Sequence, residues 1–568
     1  MAKRQDFVVR FAGEGGQGVV TAAEALARIA ADVGYHAFTF STFPSQILGG
    51  PTWTQARIAI TPVLSPGDSV DVLVALNEEA YETHKDDLGE NGVVIYDSSY
   101  TPKGAGRMFG MPFDDLAKLA GDIRTANMVM MGALANLVGM PVKFLQDFIV
   151  NRYLSRGQAI VDANMKAIAA GSERASLTHF QIGEMEPPIK PTYKQVMIKG
   201  NDAICIGALA AGLDVYIGYP ISPATTILVY MERNLIGPGK FAYQSSSEIE
   251  SIASIVGAGF AGKKAMTATA GPGFSLMGEG IGLAWMAEIP CVVIDVQRGG
   301  PATGLPTKTE QSDLSTALTP AHGDQLMPVI APGTVEECIA AGALALNWAE
   351  RYQGPVVLLS EHSLSERAQN IPKPDLAKFA PEGRNVYTGA NGYERYDGYE
   401  LSPMPIPGKP GAYVANGSEH DAIGDTTHLA ARHIQMTTRR FSKLKLLEEN
   451  VYERENARSP IAVMPWGGSK GPAQEAYQRL SAQGADLAWY YTMRINPLPP
   501  KLLEELRRKE LVIVPELNYL GQFSSFLRSQ GVKAQSITQY TGLPFRPKDL
   551  VHRISEVVGA TSRKAVTA

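Results

Sequence analysis

Between Leu213 and Glu310, three short apolar runs, LDVYIG, AMTATA and CVVIDV, each give way to a glycine- or proline-bearing segment. Continuous apolar runs of that length, punctuated in that way, read as strands buried on both faces of a parallel sheet. Open α/β sheets build their sites where such strands end. The segments that follow them are GYPISPATTI, GPG and QRGGPATGLPTKTE, and SSSEIESIASIVGAGFAG lies between the first two strands. Pro220, Pro223, Pro272 and Pro301 punctuate the strand ends, and Gly271 and Gly273 permit turns that other residues resist. One carboxylate (Glu248), one guanidinium (Arg298) and the hydroxyls of Ser222, Thr225, Thr226 and Thr307 are thereby directed to one sheet edge. That grouping predicts a binding site rather than a core.

The chain has 568 residues, too many for one hydrophobic core, so about three or four domains are expected. A hydrophobic content of 45%, a charged content of 19% and a net charge of −5 fit a soluble protein with no footprint for nucleic acid or an anionic membrane. No apolar run approaches the roughly 18 residues needed to span a bilayer. The opening MAKRQDFVVRFAG leads directly into a strand, so no signal peptide is read and a cytoplasmic location is expected. Cys205, Cys291 and Cys338 are widely separated and read as small buried hydrophobes. No CxxC occurs, which argues against a four-cysteine iron–sulfur site in this chain, and the pair His428 and His433 has no cysteine beside it to make a zinc site.

Residues 6–34 read as strand DFVVRFAG, turn GEGGQG and helix VVTAAEALARIAADVG. This is formally the dinucleotide fingerprint, and a helix N-terminus there would accept a diphosphate. A nicotinamide site also needs an acidic residue at the end of the second strand, but HAFTFS ends at Ser41. A different phosphate-bearing ligand, or simple strand–helix packing, fits the turn better. The strands DVLVAL and NGVVIYD and a helical region from Ala126 to Gly171 complete a first α/β domain. IGEMEPPIKPTYKQ reads as a linker, and MIKGNDAICIGALAAG as a helix whose small residues allow close packing. From Leu364 to Arg458 the sequence reads as an extended but ordered excursion, rich in Gly, Pro and Tyr, with a basic helix at TTRRFSKLKLLEEN expected to present a solvated face. A third α/β unit begins at SPIAVMPWGGSKG.

The central residues have ordinary explanations beside functional ones. Ser245-x-x-Glu248 ahead of an apolar run fits a helix-capping box. A glutamate at the head of so small and apolar a helix would equally be desolvated, and could share a proton with a ligand nitrogen. Arg298 suits a carboxylate or phosphate held by two hydrogen bonds, or an ordinary salt bridge. The hydroxyls of Ser222 and Thr307 suit a small acid, or turn stabilisation.

At these residues the sequence resembles the alpha subunit of 2-oxoacid:ferredoxin oxidoreductases, in the form with the gamma domain fused at its N-terminus. The resemblance rests on GEGGQGV with SQILGGP, GNDAICIGALAAG, GYPISPATTI, EHDAIGD with the RRFSKL helix, and PELNYLGQF. The fused order and GYPISPAT favour the 2-oxoglutarate-type enzymes. The implied fold is multidomain α/β. It comprises a gamma domain (1–185), a thiamine-diphosphate pyrimidine-binding-type domain (194–363), an extended connecting segment (364–457) and a transketolase C-terminal-like domain (458–568).

The implied reaction is thiamine- and coenzyme A-dependent oxidative decarboxylation of 2-oxoglutarate to succinyl-CoA, with ferredoxin reduction or the reverse carboxylation. Pyruvate or another 2-oxoacid is the alternative substrate, and a non-catalytic carboxylate-binding scaffold or an NAD(P)-dependent dehydrogenase the alternative role. The resemblance makes Glu248 the carboxylate that binds the cofactor's aminopyrimidine ring, and places Tyr219, Pro220, Ile221 and Ser222 beside cofactor and substrate. It assigns Arg298 and Thr307 to the substrate carboxylate, and turns Gly13, Gly15, Gly16, Gln17 and Gly18 toward coenzyme A. Ser222 stands where the family's YPITP segment has threonine, and Leu48 where arginine is expected. No GDG segment for Mg²⁺ and diphosphate occurs, and no metal site is assigned to this chain. The resemblance therefore implies a beta subunit carrying Mg²⁺, the diphosphate and a [4Fe–4S] cluster, in an α2β2 assembly that serves ferredoxin.

Overall fold

The computed structural model describes residues 3–42, 44, 49–104, 106–189 and 191–567, with the side chains of 562–567 excepted. It divides into two compact units, one of Met1–Ile198 with Arg367–Lys373, the other of Lys199–Glu366 with Pro374–Ala568. No helix among the described residues is long and apolar enough to cross a membrane.

The first unit is built on an eight-stranded mixed sheet. Its order is Met108–Met111, Leu88–Asp97, Val70–Ala75, Asp6–Glu14, Pro51–Ala59, His36–Thr42, Ala368–Pro372 and Gln195–Lys199. The helix Val19–Val33 follows the glycine turn and buries Val19, Leu26 and Ile29 in the core. The strand after this helix, His36–Thr42, does not pair with Asp6–Glu14, because Pro51–Ala59 runs antiparallel between them. The adjacency that lets a classic dinucleotide fold place an acidic residue on the ribose is therefore missing. Two features of this unit depart from the sequence reading. MIK of MIKGNDAICIGALAAG lies in strand Gln195–Lys199, and the helix starts at Gly200. Ala368–Pro372, expected in the connecting segment, pairs antiparallel with His36–Thr42, and Asn370 fixes it by bonding Ala37 N–H and Tyr35 C=O.

The second unit holds a seven-stranded and a five-stranded sheet. The larger runs Phe241–Gln244, Val215–Gly218, Ala265–Thr269, Cys291–Gln297, Pro355–Glu361, Val329–Ile330 and Arg494–Asn496, parallel except at its last edge. That edge strand comes from the C-terminal region, so the boundary near residue 458 is not a clean break. The small-residue pattern does the packing expected of it. A Cβ on Gly207 would strike the Ile339 carbonyl, and one on Gly342 the Ile204 carbonyl, so helices Gly200–Ala210 and Val335–Tyr352 meet backbone to backbone. All three cysteines are buried, and none is in a disulfide.

The C-terminal sheet repeats the strand, glycine turn and helix pattern at WGGSKG, but an internal carboxylate occupies that turn. Gly468 N–H donates to Glu361 Oε2 at 3.2 Å, and a Cβ on Gly468 would overlap the same carboxylate. The expectation for the basic helix is corrected. Arg439, Arg440 and Lys443 are at most 3% exposed, because Glu288 and Glu419 from elsewhere in the unit neutralise them.

Candidate functional site

Strand Val215–Gly218 ends at a turn in which Tyr219 is exposed and Pro220 and Ile221 half-buried. Asn201, at the start of the preceding helix, pins this turn by donating to Pro223 C=O at 3.0 Å and Thr226 Oγ1 at 2.8 Å. Thr226 is thus a structural hydroxyl.

The next strand leads to helix Glu248–Phe260, whose capping differs from the expected register. Ser247 Oγ accepts from Glu250 N–H at 3.2 Å, and Glu250 Oε2 takes the Ser246 N–H at 2.7 Å and the Ser246 hydroxyl at 2.5 Å. Glu250 therefore satisfies the helix N-terminus, and those hydrogen bonds hold its carboxyl below the usual range. Glu248 is released from capping. It is 6% exposed, lies in the first turn of the helix, and makes no ion pair among the described residues. A carboxylate so placed suits a ligand that brings its own proton or donor.

Glu248 faces Gly273, in the first turn of helix Gly271–Met286. A Cβ on Gly273 would overlap Thr269 Oγ1 and stand 2.5 Å from Glu248 Oε1. Only glycine leaves that space. Gly273→Ala is expected to cost about 1–3 kcal/mol through overpacking, read as a lowered thermal midpoint; an unchanged midpoint would show that the methyl fits.

Arg298 follows strand Cys291–Gln297 and is 7% exposed. Its Nη1 donates to the Ser222 carbonyl at 2.6 Å, and its Nε has no partner among the described residues. This bond joins the ends of two parallel strands, as the sequence reading expected, but Ser222 contributes its main chain there rather than its hydroxyl. The chain after Arg298 doubles back, Gly299 N–H bonding Lys308 C=O at 3.1 Å, and Thr307 lies on the returning arm, buried. A cavity of about 910 Å³ opens beside Arg298, with Gly271, Pro272, Ser275, Glu310, Ser312 and Asp313 in its wall. The head of one helix thus carries both the seat of Glu248 and part of the Arg298 cavity.

Sequence reasoning missed the acidic residues beneath Arg298. Asp295, wholly buried, and Asp313, in the cavity wall, lie within reach of one another. A lone aspartate inside CVVIDVQ was the available signal, since an ionisable group on a fully buried strand needs a reason to be there. It also missed the far wall, formed by Asn518, Tyr519, Leu520 and Gln522 of the PELNYLGQF segment together with Tyr540. Gln311 stitches this segment on, bonding Leu517 through its main chain at 2.7 Å and Trp466 C=O through its side chain at 2.8 Å.

In the first unit the GEGGQG turn is closed by its own atoms. Gln17 N–H donates to Glu14 C=O, and Gln17 Oε1 accepts from Glu14 N–H at 2.7 Å. Gly18 holds a φ of 78°, and a Cβ there would also strike Asn127. Gly15, Gly16, Gly18, Thr21 and Thr52 border a cavity of about 410 Å³ at the head of a helix with no side-chain cap. Gln17 faces a separate cavity, and Gly13 packs against Gln17 and Leu76. Leu48 and the SQIL part of SQILGGP lie outside the described residues.

Residues 206–439 match the sequence profile described as pyruvate flavodoxin/ferredoxin oxidoreductase, thiamine diP-bdg, and residues 8–174 that of pyruvate ferredoxin/flavodoxin oxidoreductase. A 2-oxoglutarate oxidoreductase subunit KorA from Mycobacterium tuberculosis is 31% identical over 95% of this chain and 90% of its own length. The alpha subunit of 2-oxoacid:ferredoxin oxidoreductase 1 from Aeropyrum pernix is 27% identical, over 98% of each chain. Among solved structures, the 2-oxoglutarate:ferredoxin oxidoreductase from Magnetococcus marinus, with 2-oxoglutarate, coenzyme A and succinyl-CoA bound, superposes with a TM-score of 0.92 at 36% identity. It covers 98% of this chain and 100% of that one.

Proposed function

The chain belongs to the 2-oxoacid:ferredoxin oxidoreductase family, in its fused gamma–alpha form, and from that premise we propose that it is the alpha subunit of a 2-oxoglutarate:ferredoxin oxidoreductase. The reaction is the coenzyme A-dependent oxidative decarboxylation of 2-oxoglutarate to succinyl-CoA, its electrons passing to ferredoxin. The observation that carries this reading is Glu248, a buried carboxylate relieved of capping by Glu250 and seated against a glycine that leaves it room.

Thiamine diphosphate, when bound, supplies the carbon nucleophile of the reaction. The residues present fit its pyrimidine ring: Glu248, buried and relieved of capping, offers an acceptor to a protonated ring nitrogen. Tyr219, Pro220, Ile221 and Ser222 form the turn after Gly218, whose carbonyl accepts from the N–H of Ser245, three residues before Glu248, at 3.1 Å. Arg298, in the wall of the cavity of about 910 Å³, binds the substrate carboxylate, with Thr307 as a companion on the same loop. In the gamma domain, the uncapped helix head behind Gly15, Gly16 and Gly18 suits the phosphates of coenzyme A. Gly13 and Gln17 keep that turn in shape.

Mg²⁺, the diphosphate and a [4Fe–4S] cluster are assigned to a beta subunit, in an α2β2 assembly located in the cytoplasm. Exposed Tyr219, Tyr243, Ile249 and Leu276, close in sequence to the Glu248 site, support an apolar docking face for that partner.

The test is reduction of a low-potential dye by the chain co-purified anaerobically with its beta subunit, on 2-oxoglutarate and on pyruvate, each with and without coenzyme A. Reduction that requires both 2-oxoglutarate and coenzyme A is expected. Activity on pyruvate alone would keep the chemistry and overturn the substrate. Inactivity on both, in a complex that contains thiamine diphosphate and cluster, would overturn the reading.

A further inference from the structure

Asp295 lies in the middle of the sheet, in register with Thr269 on one side and Leu359 on the other, and is wholly buried. Among the described residues, neither of its carboxyl oxygens has a hydrogen-bond partner, nor has Oδ2 of Asp313. Two ionised carboxylates are acceptors only, so two acids this close can bond to each other only through a shared proton. Asp313 is fixed by its main chain, its N–H donating to Gln297 Oε1 at 3.1 Å. Its carboxyl lies over the head of helix Gly271–Met286, where a Cβ on Gly271 would come within 2.9 Å of Oδ2. Beside the pair stands Arg298, its Nε unpartnered. The charged groups that act on the two acids are Arg298 and, for Asp313, Glu310 as well.

We propose that Asp295 and Asp313 form a proton-sharing pair that balances Arg298, so that a substrate carboxylate enters this site together with one proton. This deepens, and rests on, the reading of Arg298 as the carboxylate-binding residue. Before substrate arrives, the ionised member of the pair offsets the guanidinium in a water-poor pocket. An arriving carboxylate takes over that offset and repels the internal one, which then takes a proton from solvent. No other bond changes. The shifts agree with this. Burial, and then Asp313, push Asp295 far above the usual carboxylate range. Burial raises Asp313 to about 6, against the lowering effects of Asp295 and Arg298 and with Glu310 adding to the rise. Burial likewise pulls Arg298 below its ordinary value while the two aspartates oppose it. Coupled acids titrate as a unit, so the pair holds one proton the more tightly and exchanges the other near pH 6. Asp313 is accordingly a positioning residue, acting through Arg298.

The experiment is the KM for 2-oxoglutarate from pH 5.5 to 8.5 in the complete complex, for the natural enzyme, Asp313→Asn, Asp295→Asn and Arg298→Lys. The substrate's own carboxylates stay ionised throughout this range. The natural enzyme is expected to show a KM that climbs several-fold from pH 6 to 8. Asp313→Asn should lower KM at pH 8 and flatten its profile. In Asp295→Asn the amide can donate to Asp313, so the climb should move to lower pH; this variant decides the matter if Asp313→Asn fails to assemble. A flat natural profile, or an unaltered slope in whichever aspartate variant assembles, would overturn the pair. Arg298→Lys separates the two readings. A KM unchanged by it sinks the role of Arg298 itself, whereas a KM raised tenfold or more, beside unaltered slopes in the aspartate variants, sinks the pair alone.

Discussion

Glu248→Gln is expected to cut 2-oxoglutarate-dependent dye reduction by at least about 10³-fold while leaving the complex assembled. Glutamine keeps the size of the side chain, and Glu250 rather than Glu248 caps the helix, so the helix should form as before. What changes is the atom facing the ligand. An amide has no charge to stabilise a proton on a ring nitrogen, and half of its orientations present a donor where an acceptor is needed. Gel filtration and bound thiamine diphosphate report on assembly, and turnover reports on chemistry. Turnover within about threefold of the natural enzyme, in an assembled and loaded complex, would remove Glu248 from the mechanism and restore the scaffold reading. Glu250→Gln is the informative control. It removes the charge of the capping carboxylate without touching the proposed acceptor.

The contrast between those two glutamates shows what the sequence made legible. SSSEIE offers two registers for the same capping pattern, Ser245 with Glu248 and Ser247 with Glu250. The choice depends on where the chain leaves the preceding strand, which no local pattern records. Strand ends and turns at Gly218, Gly271 and Arg298 were readable because apolar runs and their glycine and proline stops are local. The Arg298 contact with Ser222, 76 residues away, followed because both lie at the ends of parallel strands in one sheet. Asp295 was visible as a lone charge on a buried strand, but its partner Asp313 was not, since proximity across a loop leaves no periodic trace. Arg439 was misread for the same reason: its helix looks basic and exposed until Glu288, 151 residues away, is placed against it. Ala368–Pro372, one strand in from the edge of its sheet, and Arg494–Asn496, an edge strand, are short and stabilised by the sheets they join more than by their own propensities.

Glu288→Ala should destabilise the second unit by about 3–5 kcal/mol, because it strips the counter-ion from buried cations. Arg439 donates from Nε to Glu288 Oε1 at 3.0 Å and from Nη2 to Oε2 at 3.0 Å, with Lys443 Nζ at 3.5 Å and Arg395 Nη1 at 3.6 Å. All four side chains are at most 3% exposed. Burial alone would raise the Glu288 carboxyl, yet Lys443, Arg439 and Arg395 hold it well below the usual range. Burial in turn brings Lys443 down to about 7, with Glu288 opposing. In the unfolded chain that amine keeps its proton to about pH 10.4. Between those values unfolding takes up a proton, so the cost of burying Lys443 is relieved, and stability rises, as pH climbs from 7. A thermal midpoint of the alanine variant within a degree of the natural protein would refute the cluster's role. If stability does fall, pairing Glu288→Met with Arg439→Met should recover part of it, since an apolar pair leaves no orphaned charge. The effect should also reach the site. Glu288 lies just past the C-terminal end of helix Gly271–Met286, at a φ of 51° that a non-glycine residue adopts only under constraint. The other end of that helix carries Gly273 against Glu248, so a fall in bound thiamine diphosphate in the alanine variant is the expected sign of transmission along the helix, and unchanged loading would confine the effect to stability.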